Sequence, residues 1–257
     1  MLLAIDIGNT EITLGLFEGD QLATEWRLTT ATKRTPDEWA TIITSYLSHA
    51  GHSTQEITSS IGASVAPAVT ECLSSGVEKS VGVRPVLVDS STDLPVVLDV
   101  DEPFQVGADR IVNTLAASTL YGRDTIVVDF GTATTFDCIT ADGTFFGGVI
   151  APGLQAAADE LSQRAAKLPA TELLPPSRVI GRRTEDCIRS GVLYGSADAV
   201  DGIVRRIKAE WPGGAVPYVV ATGGIAGKVV PLSQEVEAIE PNLTLLGLKF
   251  AADHLGL

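Results

Sequence analysis

Two short segments of this chain place an acid, a glycine and hydroxyl side chains in the same order. The first is Asp6-Ile7-Gly8-Asn9-Thr10, and the second is Asp129-Phe130-Gly131-Thr132-Ala133-Thr134-Thr135-Phe136-Asp137. Each follows an apolar run and leads into another apolar segment, the pattern of a strand, a tight turn and a returning strand. Asp6 and Asp129 are 123 positions apart (129 − 6), and Gly8 and Gly131 share that offset. A spacing near half of a 257-residue chain points to duplicated lobes, because solenoid repeats are much shorter.

Such hairpins suit phosphate. A glycine lets an anion come close to the backbone N–H groups, and Thr10, Thr132, Thr134 and Thr135 add hydroxyl donors without charge. Asp6 and Asp129 repel phosphate and so act through a cation, for which hard oxygen ligands favour Mg²⁺ or K⁺. Glycine and threonine also make ordinary hairpin turns, and it is the repetition that favours a nucleoside triphosphate held by both bends. A third glycine-rich turn, Thr222-Gly223-Gly224, follows an apolar run and precedes a helical pattern. It suits a base or ribose packed on backbone, or an ordinary strand–helix turn.

Gly107-Ala108-Asp109-Arg110 opens another helical pattern. In a first turn the macrodipole favours ionised Asp109, which can accept the proton of a substrate hydroxyl during phosphoryl transfer. Arg110 can neutralise phosphate or bind an acidic group. The same pair also reads as a helix-stabilising acid beside a base. Arg182-Arg183-Thr184 places two cations and a hydroxyl at the start of a long helix, as a carboxylate pocket or a simple cap. His49, His52 and His254 lack metal-ligand spacing. The absence of G-x-x-x-x-G-K-[ST] excludes a P-loop kinase, and the absence of G-x-S-x-G weighs against a serine hydrolase.

Composition narrows the partners. The net charge of −14 argues against nucleic acid, whose binding depends on Lys and Arg. Cys72, Cys138 and Cys187 form no C-x-x-C and read as reduced thiols of a cytoplasmic protein. No apolar stretch is long enough to span a bilayer, and no basic leader opens the chain.

Periodicity predicts the elements that hold these residues. Strands are expected at Leu2–Ile7, Ile12–Phe17 and Gln21–Leu28, then a helix from Pro36 with Thr35 as its cap. Strands at Ile57–Val65 and Arg84–Val88 flank a helix from Pro67 to Val77. An edge strand is expected within Pro95–Asp101, and the segment from Gln105 to Arg110 opens a helix that runs through Tyr121. The second half restarts with strands at Asp124–Asp129, Ala133–Ala141 and Thr144–Ala151. Helices follow at Pro152–Lys167 and Glu185–Trp211, the latter capped by Thr184. A strand at Pro217–Ala221, an edge strand at Glu237–Ile239 and a helix at Asn242–His254 complete the chain. The class is α/β, with an N-terminal lobe at 1–115 and a C-terminal lobe at 116–257.

Taken together, the chain resembles the type III pantothenate kinases nearly end to end. The likeness rests on the two acid–glycine segments, Thr35-Pro36-Asp37-Glu38, Gly107-Ala108-Asp109-Arg110, Gly147-Gly148-Val149-Ile150-Ala151-Pro152-Gly153 and Thr222-Gly223-Gly224. It implies the acetate/sugar kinase–Hsp70–actin fold, two ribonuclease-H-like lobes, each a mixed sheet flanked by helices, with a cleft between them. It implies transfer of the ATP γ-phosphate to the terminal hydroxyl of pantothenate, the first step of coenzyme A synthesis. On that resemblance Asp6, Ile7, Gly8, Asn9, Thr10, Glu11, Ile12 and Thr13 form the first phosphate segment, and Thr132 contacts ATP. Asp109 is the catalytic base. Gly107, Ala108, Asp109 and Arg110 line the pantothenate site with Val100, which stands where the family usually has tyrosine. Asp129 is the ligand of a monovalent cation, K⁺ or NH₄⁺, and Mg²⁺ accompanies the phosphates near Asp6. Thr184 reaches the substrate pocket of a partner subunit, so a homodimer is implied. Rival readings are a kinase of another small alcohol and a non-catalytic regulator; the presence of Asp109 speaks against the second.

Overall fold

A computed structural model describes residues 1–165 and 167–257. They divide into two compact units, Met1–Thr119 with Leu243–Leu257, and Leu120–Asn242. The expected boundary at 115/116 therefore needs correcting at the far end of the chain: the closing helix belongs to the first unit. Its apolar residues Leu245, Leu248, Ala251 and Ala252 are buried with Leu2, Ala4 and Ile61 of that unit's sheet.

In the first unit, β1 (Leu2–Ile7), β2 (Glu11–Glu18) and β3 (Gln21–Thr29) form an antiparallel meander. β4 (Ser59–Ser64) and β5 (Val86–Val88) add parallel strands, giving the order β3-β2-β1-β4-β5. Alternation along β1 sends successive side chains to opposite faces. Leu3, Ile5 and Ile7 meet α1 (Pro36–His49) and α2 (Pro67–Val81) on one face. Leu2 and Ala4 meet α3 (Ala108–Tyr121) on the other. The expected cap of α1 is a full capping box: Thr35 Oγ1 accepts the Glu38 N–H at 3.3 Å, and the Glu38 carboxylate accepts the Thr35 N–H at 2.7 Å. Of the edge strand expected within Pro95–Asp101, only β6 (Val97–Leu98) forms.

The second unit repeats the plan. β7 (Thr125–Phe130), β8 (Ala133–Ile139) and β9 (Thr144–Pro152) make the meander, and β10 (Tyr218–Thr222) and β11 (Ala238–Ile239) extend it in parallel, in the order β11-β10-β7-β8-β9. α4 (Leu154–Arg164) and α5 (Thr184–Glu210) cover one face through Leu154, Ile188, Leu193 and Val200, and α6 (Ala226–Val229) follows β10. The last helix, α7 (Leu243–Leu255), returns to the first unit. α4 is shorter than expected at both ends, and part of that expectation, position 166, lies outside the described residues. Thr184 is not a cap but the first residue of α5. Arg183 is the cap and makes no side-chain capping bond. A meander followed by parallel strands, sandwiched or flanked by helices, occurs in both units and is the ribonuclease-H-like plan.

Candidate active site

The two acid–glycine segments occupy matching places. β1 and β7 are the first strands of their meanders and lie inside their sheets, and they share one burial pattern in which the acid alone is half-buried and every other position is buried. Asp6 lies opposite Thr13, and Asp129 opposite Thr135. A threonine hydroxyl therefore neighbours each carboxylate across the hairpin.

At the first hairpin the Gly8 N–H donates to the Glu11 carbonyl at 3.0 Å, and a Cβ on Gly8 would come within 2.7 Å of that oxygen. Thr30, just past β3, donates from Oγ1 to the Gly8 carbonyl at 2.7 Å and from its N–H to the Thr10 carbonyl at 3.0 Å. Asn9, Thr10 and Glu11 are exposed and Thr13 is half-buried. The Glu11 carboxylate accepts from Arg27 Nη1 at 3.1 Å. Ile7 and Ile12 are 1% and 0% exposed and belong to the core. Their place in the first phosphate segment is thus limited to backbone groups, because strand alternation turns their side chains inward.

Asp109 stands in the first turn of α3, half-buried. Its Oδ1 accepts the Arg110 N–H at 2.8 Å. A Cβ on Gly107 would lie 2.5 Å from that Oδ1 and 3.3 Å from Val65 Cγ1. Val65 in turn donates its N–H to the Ile7 carbonyl at 3.0 Å. Ile7, Val65 and Gly107 therefore link the end of β1 to the start of α3, and bring Asp109 to the same end of the sheet as the Asp6 hairpin. The sequence reading makes Val65 only the end of a strand, with no role at the site; it directly follows β4, which runs parallel to β1. Burial pushes the Asp109 carboxyl above its ordinary value of 3.8, and the Arg110 amide and guanidinium partly offset this. A carboxylate raised in this way is a better proton acceptor than a solvated one.

In the second unit the Gly131 N–H donates to the Ala133 carbonyl at 3.0 Å, and Thr132 is exposed at the bend. Asp129 lies beside Thr222 in the pairing of β7 with β10. Val100 is half-buried, and Thr184 is exposed at the start of α5 beside exposed Arg182 and Arg183. Among the described residues no three His, Cys, Asp or Glu side chains converge as a metal cage. The half-buried Asp6 fits the manner in which Mg²⁺ is commonly held, by one or two carboxylates together with substrate phosphates.

Residues 2–206 match the type III pantothenate kinase family. The type III pantothenate kinase of Moorella thermoacetica is 44% identical over 249 residues, covering 97% of each chain. That of Thermomicrobium roseum is 44% identical over 255 residues, covering 99% of this chain and 98% of the other. This chain belongs to the type III pantothenate kinase family. It is accordingly a phosphotransferase of coenzyme A biosynthesis, with ATP as donor and pantothenate as acceptor. Solved structures agree on the fold. The activator of 2-hydroxyisocaproyl-CoA dehydratase from Clostridium difficile, with bound ADPNP, gives a TM-score of 0.60 at 13% identity, over 99% of this chain and 97% of that one. The ROK hexokinase of Thermus thermophilus gives 0.50 at 14% identity, over 99% and 98%. No helix among the described residues is long and apolar enough to cross a membrane.

Proposed function

We infer that this pantothenate kinase uses Asp109 to orient the terminal hydroxyl of pantothenate and take its proton as the γ-phosphoryl group arrives. The observation that carries this is the raised, half-buried Asp109 carboxyl, joined through Gly107 and Val65 to the end of the Asp6 strand. Gly107, Ala108 and Arg110 line the acceptor side with Val100, and Arg110 balances negative charge. Asp6 and the bend from Gly8 to Thr13 serve the phosphates, with backbone donors at Ile7 and Ile12. Thr132 meets ATP from the second hairpin. Asp6 would hold Mg²⁺ together with the phosphates, and Asp129 a monovalent cation, K⁺ or NH₄⁺; such ions would supply positive charge near the transferring group. Most of the rate gain comes from positioning and charge neutralisation.

Asp109→Asn keeps the size of the side chain and removes the base. Turnover should fall about 10²- to 10⁴-fold, with ATP affinity little changed. Unimpaired turnover would remove Asp109 from the mechanism. The pH dependence has a definite sign. The folded-state pKa lies above 3.8, so any stability from this group is complete below the unfolded value and is lost as pH rises through the folded one. At neutral pH the ionised carboxylate is a burden on the fold, and Asp109→Asn should melt at a higher temperature than the parent. The acid limb of kcat/KM should likewise lie above 3.8 and vanish in the variant.

The chain further acts as a cytoplasmic homodimer in which Thr184 serves the partner's pocket. Mixing two inactive variants, Asp109→Asn and Thr184→Ala, would then restore activity, because the heterodimer assembles one complete site. A mixture no more active than its parts would assign Thr184 elsewhere.

A further inference from the structure

Two glycines outside the proposed site residues press on the Asp129 hairpin. Gly223 follows β10, whose Thr222 is aligned with Asp129. Its φ is +92°, and a Cβ built there would lie 2.6 Å from Asp129 Oδ1 and 2.6 Å from the Phe130 carbonyl oxygen. Gly153 follows β9, whose Pro152 pairs with Ala133. Its φ of −71° suits any residue, so space alone demands glycine there. A Cβ on Gly153 would collide with the Thr132 carbonyl oxygen and lie 2.9 Å from that of Gly131. The obstacles are mostly backbone atoms, which cannot swing aside as a flexible side chain can. By contrast, Gly131 itself is roomy: its Cβ would find the Ala133 carbonyl oxygen at 3.6 Å and Asp129 Oδ1 at 3.8 Å.

We propose that Gly153 and Gly223 are positioning residues of the phosphoryl-transfer site. Their missing side chains let the ends of β9 and β10 close on the bend 129–132 and fix the Asp129 carboxylate and Thr132. This rests on the reading of Asp129 and Thr132 as groups on the nucleotide side. It also gives Gly223 a steric task that is independent of any base or ribose packed on it. Gly153 acts on Thr132, and Gly223 acts on Asp129.

The test compares Gly153→Ala and Gly223→Ala at a temperature where circular dichroism shows each folded. A displacement near 1 Å should lower kcat/KM for ATP about 10²-fold while KM for pantothenate stays within about twofold. Gly202→Ala on α5, where a methyl meets open space, should track the parent. A cycle of Gly223→Ala with Asp129→Asn separates positioning from general damage: the pair should cost less than the product of the singles. Additive losses overturn the proposal, as does parental kcat/KM for ATP in both folded glycine variants. Failure of both variants to fold also overturns it, by making these glycines requirements of folding alone. The role of Asp129 is judged separately: if Asp129→Asn keeps the parent's response to K⁺ over Na⁺, the cation reading fails, whatever the Gly153 variant shows.

Discussion

The Asp6 and Asp129 hairpins carry the same motif and are supported in different ways. The first is closed by its own chain: Gly8 leaves no room against Glu11, and Thr30 of the same meander bonds the carbonyls of Gly8 and Thr10. The second has the matching bond from the Gly131 N–H to the Ala133 carbonyl, but Gly131 has ordinary van der Waals space, and the close steric limits come from Gly153 and Gly223 at neighbouring strand ends. Their turns differ accordingly. Residues 8–10 separate β1 from β2, whereas only 131–132 separate β7 from β8. A repeated motif can thus preserve the groups it presents while the origin of its rigidity changes from local to long-range.

The sharpest way to break this comparison is to add one methyl to each bend. Gly8→Ala drives a Cβ to 2.7 Å from the Glu11 carbonyl oxygen and should destabilise the protein by about 1–3 kcal/mol. Gly131→Ala should stay within about 0.5 kcal/mol of the parent in chemical denaturation, because its nearest neighbours stand at 3.6 and 3.8 Å. It should nevertheless weaken ATP binding if phosphate approaches that backbone. Equal destabilisation by both changes would show that the two bends are held alike.

The next effect is smaller. Thr30→Val removes the hydroxyl that donates to the Gly8 carbonyl at 2.7 Å but keeps the side-chain volume. The loss should be about 1 kcal/mol, with a rise in KM for ATP as the bend loosens. An unchanged KM alongside lost stability would mean that Thr30 supports the sheet and not the bend.

Sequence patterns revealed these hairpins because everything they need lies within a few residues. The alternation of Leu3, Ile5 and Ile7 against Leu2 and Ala4 fixes which way β1 faces, and the Thr35–Glu38 box fixes where α1 begins. The same alternation could have placed Ile7 and Ile12 in the core, since a strand cannot offer adjacent side chains to one ligand. What stayed hidden depends on contacts between distant segments. Nothing local in Pro152-Gly153 says that Gly153 meets Thr132, and nothing in Val65 says that it touches Gly107. The final helix was misassigned for the same reason. Its apolar pattern requires a partner sheet without naming one, and the sheet it covers begins at the other end of the chain. Thr184 reads as a cap from its residue type, but the helix begins one residue earlier than expected and Arg183 takes the cap position.

The smallest expected effect bears on charge. The first hairpin carries an acid at Glu11, whereas the second presents Thr132 and half-buried Thr135. Glu11 and Arg27 form an exposed pair at 3.1 Å, so Glu11→Gln should change stability by only about 0.2–1 kcal/mol. Its effect on ATP is more telling. Removing one negative charge and freeing Arg27 should lower KM for ATP slightly at low salt, and the gain should fade as ionic strength shortens the Debye length to about 8 Å. An increase in KM would instead mean that Glu11 helps to hold a cation with the phosphates. The two hairpins would then differ in their chemistry as well as in their support.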